Sequence, residues 1–174
     1  MNEYSDFDEF FKHDFAQLVG FLCKAGFDLE TAKDAAADAM VQALERWSSL
    51  DHPRAWVRKA APRIARAQLQ RTEEGVRRAV KGDWSQPLDR ETERLISFLE
   101  ETAWVASLVN QLPTRQRDVI VWALDGFSPT QIADHLGLST VTVRSNLRHA
   151  RKRLERLYGQ QRPAQDLTEG GNSD

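Results

Sequence analysis

The sequence predicts an all-α protein of two small helical bundles joined by a flexible linker, the second containing a helix-turn-helix. Three observations lead there. Apolar residues recur at spacings of three and four along most of the 174 residues, which is the period of a helix with one buried face, and strand-like alternation is absent. Capping residues and glycines fall at the ends of those periodic runs. The periodicity lapses once, between Thr72 and Thr92, in a stretch containing Glu73-Glu74-Gly75, Lys81-Gly82-Asp83 and Gln86-Pro87, and such a stretch reads as a linker. The expected units are therefore a first domain over 7–71, a linker over 72–92, a second domain over 93–158 and a disordered tail over 159–174.

In the first domain, Phe7, Phe10, Phe11, Leu18 and Leu22 form one stripe, and Gly26 ends that helix. Asp28 is placed to cap a second helix, on which Ala32, Ala36, Ala39, Met40, Ala43 and Trp47 share a face; the small alanines imply close approach of a neighbouring helix. After the turn Ser48-Ser49-Leu50-Asp51-His52, Pro53 opens a third helix. It sets Trp56, Val57, Ala60, Ile64 and Leu69 among Arg54, Arg58, Lys59, Arg63, Arg66 and Arg71. Pro62 lies inside that helix, where the missing N–H costs roughly 3 kcal/mol unless the helix kinks or restarts.

In the second domain the pattern resumes with Leu95, Leu99, Ala103, Ala106 and Leu112, and Pro113 opens a helix with Val119, Ile120, Ala123 and Leu124 that Gly126 ends. The helix-turn-helix follows. Ser128 caps its first helix with Pro129 at the first position, Gly137 makes the turn, and Ser139 caps the second helix. Along that second helix Val143, Leu147, Ala150, Leu154 and Leu157 hold it to its domain, leaving Arg144, Arg148, Arg151, Lys152, Arg153 and Arg156 outside. A recognition helix needs this division, since one face must be anchored while the other carries donors into the major groove. The plain alternative is a helical hairpin with a solvated basic face.

Composition bounds the rest. The net charge of −2 hides blocks: residues 1–50 and 83–111 are acidic, while 51–82 and 112–158 are basic. That alternation suits two separate nucleic-acid contacts with acidic surface left for a protein partner. The single Cys23 precludes an internal disulfide and, among Phe21, Leu22 and Ala25, reads as a core thiol. His13, His52, His135 and His149 show no metal-ligand spacing, and no nucleophile–base arrangement or phosphate loop is visible. Neither enzyme activity, nor a cofactor, nor a metal is expected. With no long apolar run and an acidic, polar start, the chain is expected to be cytoplasmic and not inserted in a membrane.

Taken in order, these motifs resemble the extracytoplasmic-function (ECF) group of bacterial RNA polymerase sigma factors. The resemblance spans roughly 7–158. Its strongest part is Leu112-Pro113, Arg117, Gly126, Ser128, Ile132-Ala133, Leu136-Gly137, Ser139, Thr142-Val143-Arg144-Ser145, Leu147, Ala150-Arg151 and Leu154, which look like the fourth sigma region. Asp34-Ala35, Ala39, Ala43 and Glu45-Arg46-Trp47 look like the helix that docks on the polymerase clamp. His52-Pro53-Arg54-Ala55-Trp56-Val57-Arg58 looks like the segment that handles the downstream promoter element. The chain departs from that pattern with Lys33 and Ala37 in the clamp helix, with Met40 and Leu44 as core substitutes for an aromatic, and with Pro62-Arg63 where melting-competent relatives commonly carry an asparagine.

The resemblance implies an alternative sigma factor that binds core RNA polymerase and promoter DNA, with an anti-sigma protein as a further partner. The other reading is a sigma-like DNA-binding regulator or adaptor without promoter-melting activity. For the upstream element it points to Thr140, Arg144, Ser145, Arg148 and His149 at base edges, with Arg151, Lys152, Arg153 and Arg117 on phosphates. For the downstream element it points to Trp56, Arg58, Lys59, Arg63 and Arg66, Trp56 being either core or a support for an unpaired base. For polymerase it points to Asp34, Asp38, Val41 and Glu45.

Overall fold

Three helices make the first bundle of the computed structural model, which describes residues 3–73, 98 and 102–161. They are α1 (Glu3–Ala25), α2 (Leu29–Leu44) and α3 (Pro53–Glu73), with a 3-10 turn over Trp47–Ser49 before α3. A helical run over 102–109, here α4, leads to α5 (Thr114–Leu124), α6 (Pro129–Leu136) and α7 (Thr140–Gln161). Every regular element among the described residues is helical. Most of the expected linker lies outside the described residues, as do Leu95, Leu99 and the tail from 162 onward. Two boundaries move: α3 continues through Thr72 and Glu73, and α7 continues past Tyr158 to Gln161.

The helix ends follow local chemistry. Asp28 accepts the backbone N–H of Thr31 at 2.9 Å and its hydroxyl at 2.6 Å, satisfying a donor the first turn of α2 would leave open. At the C-terminal end of α1, Gly26 takes φ +103° and the N–H of Phe27 returns to the carbonyl of Leu22 at 3.2 Å. The same closure recurs where Gly126 (φ +91°) is followed by Phe127 donating to Trp122. An apolar residue thus folds back under each helix end.

α2 packs chiefly on α3 and α1, through Ala32, Ala35, Ala36, Ala39 and Ala43, all fully buried. Small side chains let the three axes come close. On α3 the buried face is Ala55, Val57, Ala61 and Ala65, whereas Trp56, Ala60 and Ile64 of the expected stripe are half-buried and Leu69 is exposed. Phe11, Leu44 and Leu124, assigned to apolar faces from the sequence, are also exposed. Pro62 neither ends nor restarts α3.

The two bundles do not stand apart. Their buried apolar residues form one continuous cluster from Leu18 to Ala150. Phe21 of α1 meets Trp122 of α5 edge-on at 5.6 Å, and Asn110 donates to the carbonyl of Cys23 at 3.3 Å. A Cβ at Gly20 would lie 2.9 Å from the ring of Phe98, so glycine there is what admits that ring onto α1.

Candidate nucleic-acid interface

The helix-turn-helix is built as its residues dictate. Ser128 and Gln131 form a reciprocal capping box, with Ser128 Oγ accepting from the Gln131 N–H and Gln131 Oε1 accepting from the Ser128 N–H. Gly137 takes φ +65° at the turn, and Leu138 donates back to Ala133 at 3.0 Å. Ser139 Oγ accepts the N–H of Thr142 at 3.1 Å and so caps α7. Val143, Leu147 and Ala150 are buried against the bundle. With that face fixed, the opposite one is fixed too: Arg144, Arg148, His149, Arg151 and Lys152 are exposed, and Thr140 and Ser145 are half-buried beside them.

One residue of this face was missed by the sequence argument. Val141 is 76% exposed at the start of α7, next to Thr140. An exposed valine there suits apolar contact with a thymine methyl, and the available signal was that it falls off the Val143–Leu147 stripe. Arg117, expected on a phosphate, is turned inward. Its guanidinium donates to the carbonyl of Leu112 at 3.3 Å and lies 2.7 Å from where a Cβ on Gly26 would stand. Half-buried and directed at Leu112 and Gly26, it points away from the exposed face of α7.

The larger correction concerns α3. Arg58, expected at the DNA backbone, is 0% exposed. It pairs with Asp14 of α1 through Nη1, and its Nε donates to Asp125 Oδ2 at 2.6 Å, just after α5. Arg54 runs alongside, donating to the carbonyl of Asp125 at 2.7 Å and lying 3.6 Å from Asp14. Helical periodicity gave no reason to expect this, because Arg58 lies among basic residues whose usual place is solvent; the partners are distant in sequence.

Lys59, Arg63 and Arg66 are exposed, yet they line a cleft of about 210 Å³ whose other wall is Asp118, Val121, Trp122, His135 and Leu136. Asp118 is half-buried in that wall, and burial raises its pKa despite the opposing pull of Arg66, Arg117 and Arg115. His135 stacks on Trp122 at 4.9 Å and meets Phe127 edge-on. Burial lowers its pKa, Lys59 and His52 add to that, and Asp134 opposes it. Trp56 is half-buried, with the Arg46 guanidinium 5.5 Å above its ring. Half-burial leaves both of its alternative readings open.

Asp34, Asp38 and Val41 of α2 and Glu45 at its C-cap are all exposed, Val41 at 57%, and Asp38 accepts from Gln68 at 3.0 Å. Val41 is thus an exposed apolar side chain flanked by acidic ones. Among the described residues no group of three or more His, Cys, Asp or Glu could hold a metal, and no helix is long and apolar enough to cross a membrane.

Comparison with known proteins agrees with this geometry. Residues 102–154 match the family described as sigma-70, region 4. The chain is similar in structure to CnrH, solved in complex with the cytosolic domain of CnrY, at 26% identity and TM-score 0.61 over 90% of this chain and 89% of that one. It is also similar to the sigma factor RpoE of Bartonella quintana, solved with the anti-sigma factor NepR, at 19% identity and TM-score 0.62 over 90% of this chain and 99% of that one. Among curated protein sequences there is no match.

Proposed function

We propose that this chain, which belongs to the extracytoplasmic-function group of bacterial sigma factors, acts by reading a promoter with two separate surfaces while bound to core RNA polymerase in the cytoplasm. It directs promoter recognition and transcription initiation and performs no chemistry itself. The observation that carries this reading is the pairing of a capped helix-turn-helix, basic on its outward face, with a match to sigma region 4 over the same residues.

On the upstream element, Thr140, Arg144, Ser145, Arg148 and His149 read base edges near the start of α7. Arginine suits guanine because its fork matches O6 and N7 together, worth about 1–3 kcal/mol per good pair. Arg151 and Lys152, one turn further on, hold phosphates and set register without reading sequence. On the downstream element, Lys59, Arg63 and Arg66 supply backbone attraction and Trp56 supports the strand. Asp34, Asp38, Val41 and Glu45 meet polymerase. An anti-sigma protein is the further partner, by likeness to CnrH and RpoE, both solved with a protein bound.

The test is in vitro transcription with core polymerase on a library of candidate promoters, alongside co-purification at low salt. The expected result is a shared promoter sequence among the transcripts and a stoichiometric complex with core. Sequence-specific DNA binding without association with core would replace this reading by a sigma-like regulator that does not melt promoters. One observation favours that second reading: the basic face of α3 is turned toward the second bundle.

A further inference from the structure

We infer that Arg46 and Trp56 form a slot for one unpaired base, with the guanidinium as a movable wall over the indole. The two residues come from different elements, Arg46 from the link between α2 and the 3-10 turn and Trp56 from the first turn of α3.

The backbone of Arg46 is held in place while its side chain is free. Ser49 donates to the Arg46 carbonyl twice, from its N–H at 3.0 Å and from its hydroxyl at 2.8 Å. The next residue, Trp47, is held against α1, edge-on to Phe7 at 5.2 Å and tilted on Phe10 at 5.1 Å. With Trp47 pinned there, the side chain of Arg46 is exposed, and its guanidinium has no carboxylate partner among the described residues. What it does meet is the Trp56 ring, with Cζ 5.5 Å from the centroid. An exposed cation–π contact is weak, so the guanidinium can lift from the ring without breaking an ion pair.

The neighbours of the slot decide what enters it. Along α3, Trp56 is followed at helical spacing by the exposed Lys59, Arg63 and Arg66, all within about a quarter of the helix circumference. A row of cations that begins at an aromatic ring suits a single strand, because the charges track the backbone and the ring takes the face of a base. Paired bases keep their faces inside the stack. An unpaired base offers two, and an indole on one side with a planar guanidinium on the other would cover both. Since both walls meet faces and neither meets an edge, the slot selects unpaired over paired bases without preferring one base to another. That the strand is promoter DNA rests on the sigma-factor reading; the slot itself does not.

The test uses the full-length chain without polymerase and labelled mixed-sequence dodecamers, single-stranded and as the matched duplex, read by fluorescence anisotropy. Loss of a stacking aromatic costs about five- to a hundredfold in affinity. Arg46→Ala, which removes the more mobile wall, is expected at the low end, with single-strand binding about five- to tenfold weaker and duplex binding changed less than about twofold. Arg46→Lys keeps the charge without the plane and is expected to stay at least about threefold weak on the single strand. In a Trp56→Ala background, Arg46→Ala should add no further loss, because the slot has already lost its floor. If Trp56→Ala does not fold by circular dichroism, the cycle is run with Trp56→Leu, which fills the site without a ring. Absence of single-strand binding by the wild type, equal losses on both DNA forms, or full rescue by lysine overturns the slot. So does unchanged or tighter single-strand binding by Arg46→Ala, which would make the guanidinium a mere shield for the indole. If the single-strand effects appear in a chain that does not associate with core polymerase at low salt, the slot stands and the sigma-factor reading falls.

Discussion

Arg58→Met replaces the most deeply buried charge among the described residues with a side chain of similar reach. The guanidinium lies between two carboxylates that are themselves almost entirely buried. Methionine keeps much of the apolar stem contact, so the loss of packing is small. What remains is a pair of buried like charges. Removing one member of a buried ionic cluster costs about 3–5 kcal/mol. Arg54, near both carboxylates but half-exposed, offsets part of this and sets the expectation at the lower end, about 3 kcal/mol. For a chain of this size that corresponds to a fall in Tm of about 6–12 °C. Urea titrations followed by far-UV circular dichroism measure it directly. The triple variant Asp14→Leu, Arg58→Met, Asp125→Leu is expected to recover most of the loss, because well-packed apolar replacements of buried ion clusters are often neutral or stabilising. A single-variant loss below about 1 kcal/mol, the worth of an exposed ion pair, would refute the reasoning and mean that the seam is hydrated in solution.

Other expectations concern separate parts of the chain. Asp28→Ala removes the cap of α2 and should cost about 1 kcal/mol near neutral pH. Because the bonds from Thr31 hold the Asp28 carboxyl below its ordinary range, its contribution is fully present above about pH 4 and is lost as pH falls through the depressed value; the gap between variant and wild type in pH-dependent melts should therefore narrow in acid. Arg144→Ala should weaken DNA binding by about 1–3 kcal/mol and relax preference at one base pair, seen in competition binding, whereas Lys152→Ala should weaken all sequences alike and shallow the salt slope by about one unit. With polymerase on a promoter it binds, the wild type should show limited permanganate reactivity of unpaired thymines and Pro62→Val, Arg63→Asn more, since valine restores a helix hydrogen bond and asparagine offers an amide to a base. Strong opening by the wild type that the double variant abolishes would reverse that account.

What the sequence alone determined is whatever depends on near neighbours. The caps at Asp28, Ser128 and Ser139, the turns at Gly26, Gly126 and Gly137, and the apolar stripe of α7 are set by groups within five residues of one another, so their outcome could be read from order and spacing. The outward face of the recognition helix followed from its inward one. Tertiary structure decided what neighbours cannot. Arg58 is fully buried because Asp14 and Asp125, 44 and 67 positions away, arrive on either side of it. Nothing in its local run of basic residues distinguishes it from Arg63, which remains exposed. Arg117 is only half-buried, and it is turned toward the carbonyl of Leu112 and the end of α1 at Gly26, which its local sequence also did not disclose. A helical period gives each side chain a direction around its own axis, while the energy of burying a charge depends on which carboxylates the fold brings into that direction.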